Sequence, residues 1–136
     1  MFNAAKESGL KIIANSSYRS YADQEKLYND SVDNEGKDYA DTYAARPGYS
    51  EHQTGLAIDI YVKGYDKTNF AQSPEAKWLV TNAYLYGFIL RYPEGKEYLT
   101  GYSYEPWHYR YLGEALAKKV YDSGLTYDEY YAYYLD

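Results

Sequence analysis

The sequence contains no cysteine and only two histidines among its 136 residues. The lack of cysteine excludes disulfide bonds and thiolate metal ligands. Any metal site or histidine-based catalysis must therefore use His52 and His108, because the chain offers no other imidazole.

The sequence also lacks long apolar runs. No apolar stretch approaches the roughly 20 residues that a membrane-spanning helix needs. Residues Met1 to Ser8 contain no apolar run either, so they do not resemble a signal peptide. We therefore expect that an export signal or anchor, and most of an N-terminal lead, lie outside this sequence. The formal net charge of -6 argues against a nucleic-acid partner, because binding of the phosphate backbone needs a basic surface.

The composition is that of a folded domain. Apolar residues make up 46% of the chain and charged residues 25%, which predicts one soluble globular domain over residues 1–136. The 22 tyrosines are expected to pack around a sheet with their hydroxyls at the surface, the alternative being that they stack on a sugar or peptide ligand.

Local signals predict an alternating order of helices and strands. Ser20, Ser73-Pro74-Glu75 and the capping box at Thr126–Glu129 are typical helix starts. We predict helices over residues 2–8, 20–30, 73–86 and 113–123 and from 126 onward, with a short helix near 38–45. We predict strands over residues 11–15, 55–62, 88–92 and 104–111. The strands follow one another too closely for repeated βαβ units, so we expect an α+β fold with a small, mostly antiparallel sheet flanked by helices.

Each histidine lies near a carboxylate. Two imidazoles and one carboxylate are a common ligand set for catalytic zinc, which keeps a fourth position for water. A second carboxylate can then act as general base. Asp59 stands in an apolar strand, where an unpaired carboxylate is costly to bury. The spacing alone leaves Asp59 and Glu105 nearly interchangeable between the two roles.

Structural explanations compete with a metal site. Asp59 could be a buried, hydrogen-bonded acid without a metal, and Glu105 could pair with Arg110. Glu105 and His108 are three positions apart, so along a regular strand their side chains would face opposite ways. They can converge only if the backbone bends, and Pro106 is placed to interrupt regular pairing there.

Two segments resemble the signatures of a known family. Ser50–Asp59 reads S-x-H-x-x-G-x-A-x-D, and Glu105–His108 reads E-x-W-H. Both patterns are complete, and together they resemble the VanY-type D-alanyl-D-alanine carboxypeptidases of the LAS metallopeptidase group, which includes lysostaphin-like enzymes and the hedgehog fold. Collinear flanks extend the resemblance over nearly the whole chain: Ser17–Ser20 with Gln24, Pro47-Gly48, Gly87–Tyr92 and Glu105–Tyr111. The family often has glycine where Ser17 stands.

The resemblance implies a metal centre and a base. It implies that His52, Asp59 and His108 bind one zinc ion. It also implies that Glu105 activates water and then protonates the leaving amine.

The resemblance further implies a set of residues that hold the substrate. Arg19 would face the substrate carbonyl or carboxylate, the alternative being a surface salt bridge. Gln24 and Ser50 would bind substrate; otherwise Gln24 is a solvated helix residue and Ser50 a turn residue. Trp107 would line the pocket or pack beneath the zinc ligands.

The implied function is hydrolysis of peptidoglycan stem peptides at their C-terminal bond. We expect a D,D-carboxypeptidase that removes the terminal D-alanine of a pentapeptide, with an L,D-carboxypeptidase acting on the tetrapeptide as the alternative. A non-catalytic wall-binding module is the alternative from another class. We expect a monomer that acts outside the cell or in the envelope of a bacterium.

Overall fold

A computed structural model describes residues 1–136 of the chain. Seven α-helices are present: α1 Phe2–Glu7, α2 Tyr21–Glu35, α3 Lys37–Ala40, α4 Pro74–Asn82, α5 Glu97–Thr100, α6 Glu114–Ser123 and α7 Tyr127–Tyr134. Four strands form one sheet: β1 Ile13–Ser16, β2 Ala57–Tyr61, β3 Phe88–Leu90 and β4 His108–Tyr111. Short 3₁₀ turns cover Glu51–Thr54, Phe70–Gln72 and Ala83–Tyr86. No helix is both long enough and apolar enough to cross a membrane.

The sheet has the order β1-β2-β4-β3, and every neighbouring pair is antiparallel. This confirms the predicted α+β class with a small antiparallel sheet flanked by helices. The register between the two central strands places Asp59 of β2 directly opposite His108 of β4. Side chains at directly opposed positions point to the same face of a sheet, so the register itself brings these two residues together.

Three helices begin where their capping residues predict. The Ser20 hydroxyl accepts the backbone N–H of Asp23 at the start of α2, and Ser73 caps α4 in the same way, with Pro74 at the first helical position. Thr126 and Glu129 form the complete capping box of α7. Each cap satisfies backbone N–H groups that a helix end otherwise leaves without a partner.

The main core lies on one face of the sheet. Ile58 and Ile60 of β2 and Tyr109 of β4 pack there against α1 and α4, the latter through the fully buried Leu79. Because strand side chains alternate between faces, Asp59 and His108 point away from this core. The apolar neighbours of Asp59 therefore do not surround its carboxylate.

Three predicted boundaries were wrong by more than two residues. The last strand does not begin at residue 104, because residues 105–107 form a turn and pairing starts only at His108. The α2 helix runs to Glu35 instead of ending near residue 30, because Tyr28 and Val32 pack against the small cluster around Ala40. The short helix predicted over residues 38–45 covers only 37–40.

Candidate active site

One cavity of about 100 Å³, hereafter the central cavity, opens beside β2 and β4. All eight residues that the sequence singled out line it: Arg19, Gln24, Ser50, His52, Asp59, Glu105, Trp107 and His108. Residues as far apart in sequence as Arg19 and His108 thus meet at one place in the fold.

His52, Asp59 and His108 form the centre of this cavity. One carboxylate oxygen of Asp59, Oδ1, lies 3.3 Å from His52 Nε2 and 3.1 Å from His108 Nδ1. His52 comes from the 3₁₀ turn after Ser50, whose hydroxyl accepts the His52 backbone N–H. Gly55 ends that turn with a φ of 73°, a left-handed conformation that favours glycine and directs the chain into β2.

The outer nitrogen of each imidazole has its own acceptor. His52 Nδ1 lies 2.7 Å from the Ser17 carbonyl oxygen, so Nδ1 must carry a proton and Nε2 presents its lone pair to the cavity. His108 Nε2 lies 3.4 Å from Glu51 Oε2, which leaves His108 Nδ1 facing Asp59. Such outer partners fix the tautomer and orientation of metal-ligating histidines. Because Ser17 contributes only its backbone carbonyl, serine can replace the glycine that is frequent there in the family.

The donor set fits a zinc ion. The nitrogen and oxygen ligand atoms lie within 4.8 Å of one another, and the separations of 3.1 and 3.3 Å match the edge of about 3.3 Å that tetrahedral bonds of about 2.05 Å give. Burial tends to raise the pKa of Asp59, but hydrogen bonds from His108 and His52 outweigh it and hold that pKa well below its usual value. Burial tends to lower the pKa of His108, but Asp59 and Glu51 raise it to about 9. The site therefore favours a positive charge between these side chains.

Glu105 lies beside this set without belonging to it. Its Oε2 is 3.7 Å from His108 Nδ1, and only 8% of the residue is exposed. Burial raises the pKa of the Glu105 carboxyl to about 7, partly offset by the charge of His108. A carboxyl with a pKa near neutrality can both accept and return a proton at physiological pH. The alternative that Glu105 pairs with Arg110 is wrong, because Arg110 binds Glu51.

Arg19 is held in place by neutral groups. Its Nη1 donates to Gln24 Oε1 at 2.7 Å and its Nη2 donates to Ser16 Oγ at 2.9 Å, and no carboxylate pairs with it. The surface salt bridge considered for Arg19 is therefore wrong. Gln24 is 1% exposed and uses its amide nitrogen on the Ala45 carbonyl, so it is not a solvated helix residue.

Trp107 is at the cavity wall, which agrees with the first of its two predicted roles. It lines the central cavity, and it also packs against the main core, where its ring meets Phe70 edge to face at 6.5 Å. Lys67 Nζ lies 5.5 Å from the Trp107 ring centroid and lines the same cavity.

Sequence reasoning missed three residues near the ligands: Glu51, Tyr92 and Lys67. Glu51 directly precedes His52, and yet its carboxylate faces the other histidine, His108. The Tyr92 ring stacks on the His108 ring with centroids 4.9 Å apart. An acid inside the first motif was a usable signal for Glu51, whereas Tyr92 was one of 22 tyrosines without a distinguishing pattern.

Comparison with known proteins agrees with this geometry. Residues 1–114 match the VanY family, described as D-alanyl-D-alanine carboxypeptidase. The chain is 46% identical over 134 residues to YodJ of Bacillus subtilis (strain 168), covering 96% of this chain and 49% of that protein. The chain spans about half the length of the curated relatives that it matches.

Solved structures of carboxypeptidases are also similar to this chain. The LD-carboxypeptidase LdcB superposes with a TM-score of 0.89 at 46% identity, over 97% of this chain and 63% of that one. A mutant of the vancomycin resistance D,D-pentapeptidase VanY in complex with Zn(II) gives a TM-score of 0.84 at 41% identity, over 95% of this chain and 76% of that one. The chain belongs to the VanY family of D-alanyl-D-alanine carboxypeptidases.

Proposed function

We propose that this chain is a zinc-dependent carboxypeptidase that removes the C-terminal D-alanine from peptidoglycan stem peptides. One observation carries the proposal. A three-ligand set, a separate buried carboxylate and an arginine without an anionic partner converge on one small cavity. A structural ion pair would need no second acid with a raised pKa and no free guanidinium facing the same space.

His52, Asp59 and His108 would hold the metal. When bound, zinc supplies Lewis-acid polarisation of the scissile carbonyl and lowers the pKa of water toward about 7. The likeness to a VanY structure that contains Zn(II) supports zinc over other divalent cations.

Glu105 would act as general base and then as general acid. It takes a proton from the attacking water and returns it to the amine of the departing D-alanine. Its position beside His108 Nδ1, at 3.7 Å, leaves it close to the reacting atoms while Asp59 is committed to the two imidazoles. Burial keeps its pKa near 7, which suits both proton transfers.

Arg19 would stabilise negative charge on the substrate. Its guanidinium is positioned by Gln24 and Ser16, so it is oriented before the substrate arrives and needs no reorganisation during the reaction. Gln24 would then act on the substrate chiefly through Arg19, since both ends of its amide already have partners. Ser50 and Trp107 line the same cavity and would bind the terminal residue.

The bond that is cut is proposed as the D-alanyl-D-alanine bond of the pentapeptide. The family description and the likeness to a D,D-pentapeptidase support it. The likeness to LdcB, an LD-carboxypeptidase, supports the alternative of L,D cleavage of the tetrapeptide. Both reactions need the same metal set, base and arginine, so the residues described above serve either one.

Mass spectrometry of the products from defined tetra- and pentapeptide stems, with and without a chelator, tests the proposal. We expect D-alanine release from the pentapeptide that stops when the chelator is added and returns with Zn²⁺. Release from the tetrapeptide alone would replace D,D with L,D specificity. Release that persists in chelator would contradict the metal-dependent mechanism.

A non-catalytic wall-binding module is the alternative of another class. It would bind stem peptides without releasing D-alanine, so the same experiment distinguishes it. We further propose that residues 1–136 form one catalytic domain, that it acts as a monomer, and that it works in the cell envelope or outside a bacterial cell, where its substrate lies.

A further inference from the structure

We propose that Asp128 of α7 is a positioning residue for the metal ligand His108, acting through Arg91 and Glu51. The inference rests on the metal site of the proposed function. Asp128 lies outside residues 1–114, the part of the chain that matches the family, and it does not line the central cavity.

The first contact in this series joins Glu51 to His108. Glu51 Oε2 lies 3.4 Å from His108 Nε2, the nitrogen that points away from Asp59. The other oxygen, Oε1, accepts hydrogen bonds from Arg91 Nε at 2.8 Å and from Arg110 Nη1 at 2.9 Å. Both oxygens of this carboxylate, whose side chain is 14% exposed, are therefore fixed, and the direction of its bond to His108 depends on where the arginines hold it.

The second contact joins Arg91 to Asp128. While Nε binds Glu51, the two terminal nitrogens bind the two Asp128 oxygens at 2.6 and 3.0 Å. This is the bidentate geometry in which an arginine–carboxylate pair is most directional. The Arg91 side chain is 11% exposed and the Asp128 side chain 33%, so solvent screens the pair only in part. Asp128 thus determines the plane in which Arg91 presents Nε to Glu51.

Aromatic rings support the same arrangement. The Arg91 guanidinium carbon lies 5.0 Å from the Tyr92 ring centroid and 5.5 Å from that of Tyr127 in α7. Tyr92 also stacks on the His108 ring, with centroids 4.9 Å apart and planes at 29°. A shift of Arg91 would therefore reach His108 both through Glu51 and through the Tyr92 ring.

The expected effect is a loss of metal affinity. Replacing the direct hydrogen-bond partner of a metal-ligating histidine typically costs about 10- to 100-fold in affinity. Asp128 is two contacts further away, so we expect Asp128→Asn to weaken Zn²⁺ binding by about tenfold, the lower end of that range. The asparagine keeps the shape of the side chain and removes only the charge and one acceptor of the bidentate pair.

Glu129 offers a matched control on the same helix. Its carboxylate caps α7 through the Thr126 backbone N–H and lies 3.7 Å from Lys96 Nζ, with no contact to Arg91. Glu129→Ala should weaken the anchoring of α7 without changing the contacts of Arg91. Asp128→Glu retains the charge and should recover part of the affinity.

Zn²⁺ affinity would be measured in the purified chain by competition with a chromophoric chelator, together with the visible spectrum of the Co²⁺-loaded protein. We expect Asp128→Asn to lose affinity about tenfold and to alter the Co²⁺ spectrum, while Glu129→Ala matches wild type in both. Equal affinities for wild type and Asp128→Asn would overturn the inference, as would an equal loss in Glu129→Ala. A wild-type chain that binds no Zn²⁺ would instead overturn the proposed metal site on which the inference rests.

Discussion

Replacing Glu105 by glutamine should lower the rate of D-alanine release without making the folded protein less stable. The amide keeps the shape of the side chain but cannot accept the proton of the attacking water. General bases typically contribute about 10²- to 10⁴-fold to a rate, so kcat for D-alanine release should fall by that factor. Glu105 is not among the three side chains that we propose as metal ligands, so Zn²⁺ content should stay at the wild-type level.

The same substitution should stabilise the metal-free protein at high pH. Burial raises the pKa of Glu105 from 4.5 to about 7, which means that the folded state holds this proton more tightly than the unfolded chain. The resulting stability is fully present below pH 4.5 and is lost as the pH rises through 7. At about 1.36 kcal/mol per pKa unit, the ionised carboxylate then costs about 3 kcal/mol, which glutamine avoids.

Urea unfolding in excess chelator measures this difference. Glu105→Gln should unfold at higher urea than wild type at pH 8 and at nearly the same urea at pH 4. The exposed Glu97 supplies a control, since Glu97→Gln should change neither activity nor the pH dependence of unfolding. The reasoning about burial is refuted if Glu105→Gln is no more stable than wild type at pH 8, and the base assignment is refuted if D-alanine release is unchanged.

Three further substitutions test other parts of the structure. Arg19→Ala should lower kcat by about 10²- to 10³-fold, because it removes a preoriented cation, with Zn²⁺ binding unchanged. Gly87→Ala should destabilise the fold by about 2 to 4 kcal/mol, because its φ is +83° and a Cβ would lie 2.5 Å from Tyr111 Cε2. Tyr109→Phe should raise the free energy of unfolding by about 1 kcal/mol, because it removes a hydroxyl that is buried without a protein partner.

For each of these three substitutions, a control or a different outcome would contradict the reasoning. Arg19→Ala with normal kcat but raised KM would mean that the guanidinium binds ground state and transition state equally. Gly95→Ala is matched to Gly87→Ala, since Gly95 also has a positive φ of +73° but no atom within 4 Å of an added Cβ; equal losses for the two would exclude the steric argument. A destabilised Tyr109→Phe in chemical unfolding would mean that the hydroxyl is hydrogen-bonded in solution.

Much of the fold could be predicted because its signals are local. The caps at Ser20, Ser73 and Thr126 act within three residues of themselves, so the sequence alone defines where those helices begin. The turn at residues 105–107 was partly predictable as well, since Pro106 cannot donate to a strand. The predicted start of β4 was wrong, because the predicted strand was extended through Pro106.

The proposed roles of Asp59 as metal ligand and Glu105 as base could not be assigned from spacing. It depends on the register of β2 against β4, which pairs residues 49 positions apart and which no local pattern encodes. The resemblance to a family supplied the assignment. Glu51 was missed for a similar reason, since it adjoins one histidine in sequence but its carboxylate faces the other in space.

The antiparallel pairing of Asp59 with His108 also limits how such a protein can change over evolution. A single-residue insertion or deletion within β2 or β4 would turn one of these side chains toward the apolar core, because strand positions alternate between faces. The segment between the two strands also carries β3, Tyr92 and Glu105, so only its exposed loops are free of that restriction. Changes of length in those loops would leave the pairing of Asp59 with His108 intact, so new substrate preferences can arise there while these two side chains stay together.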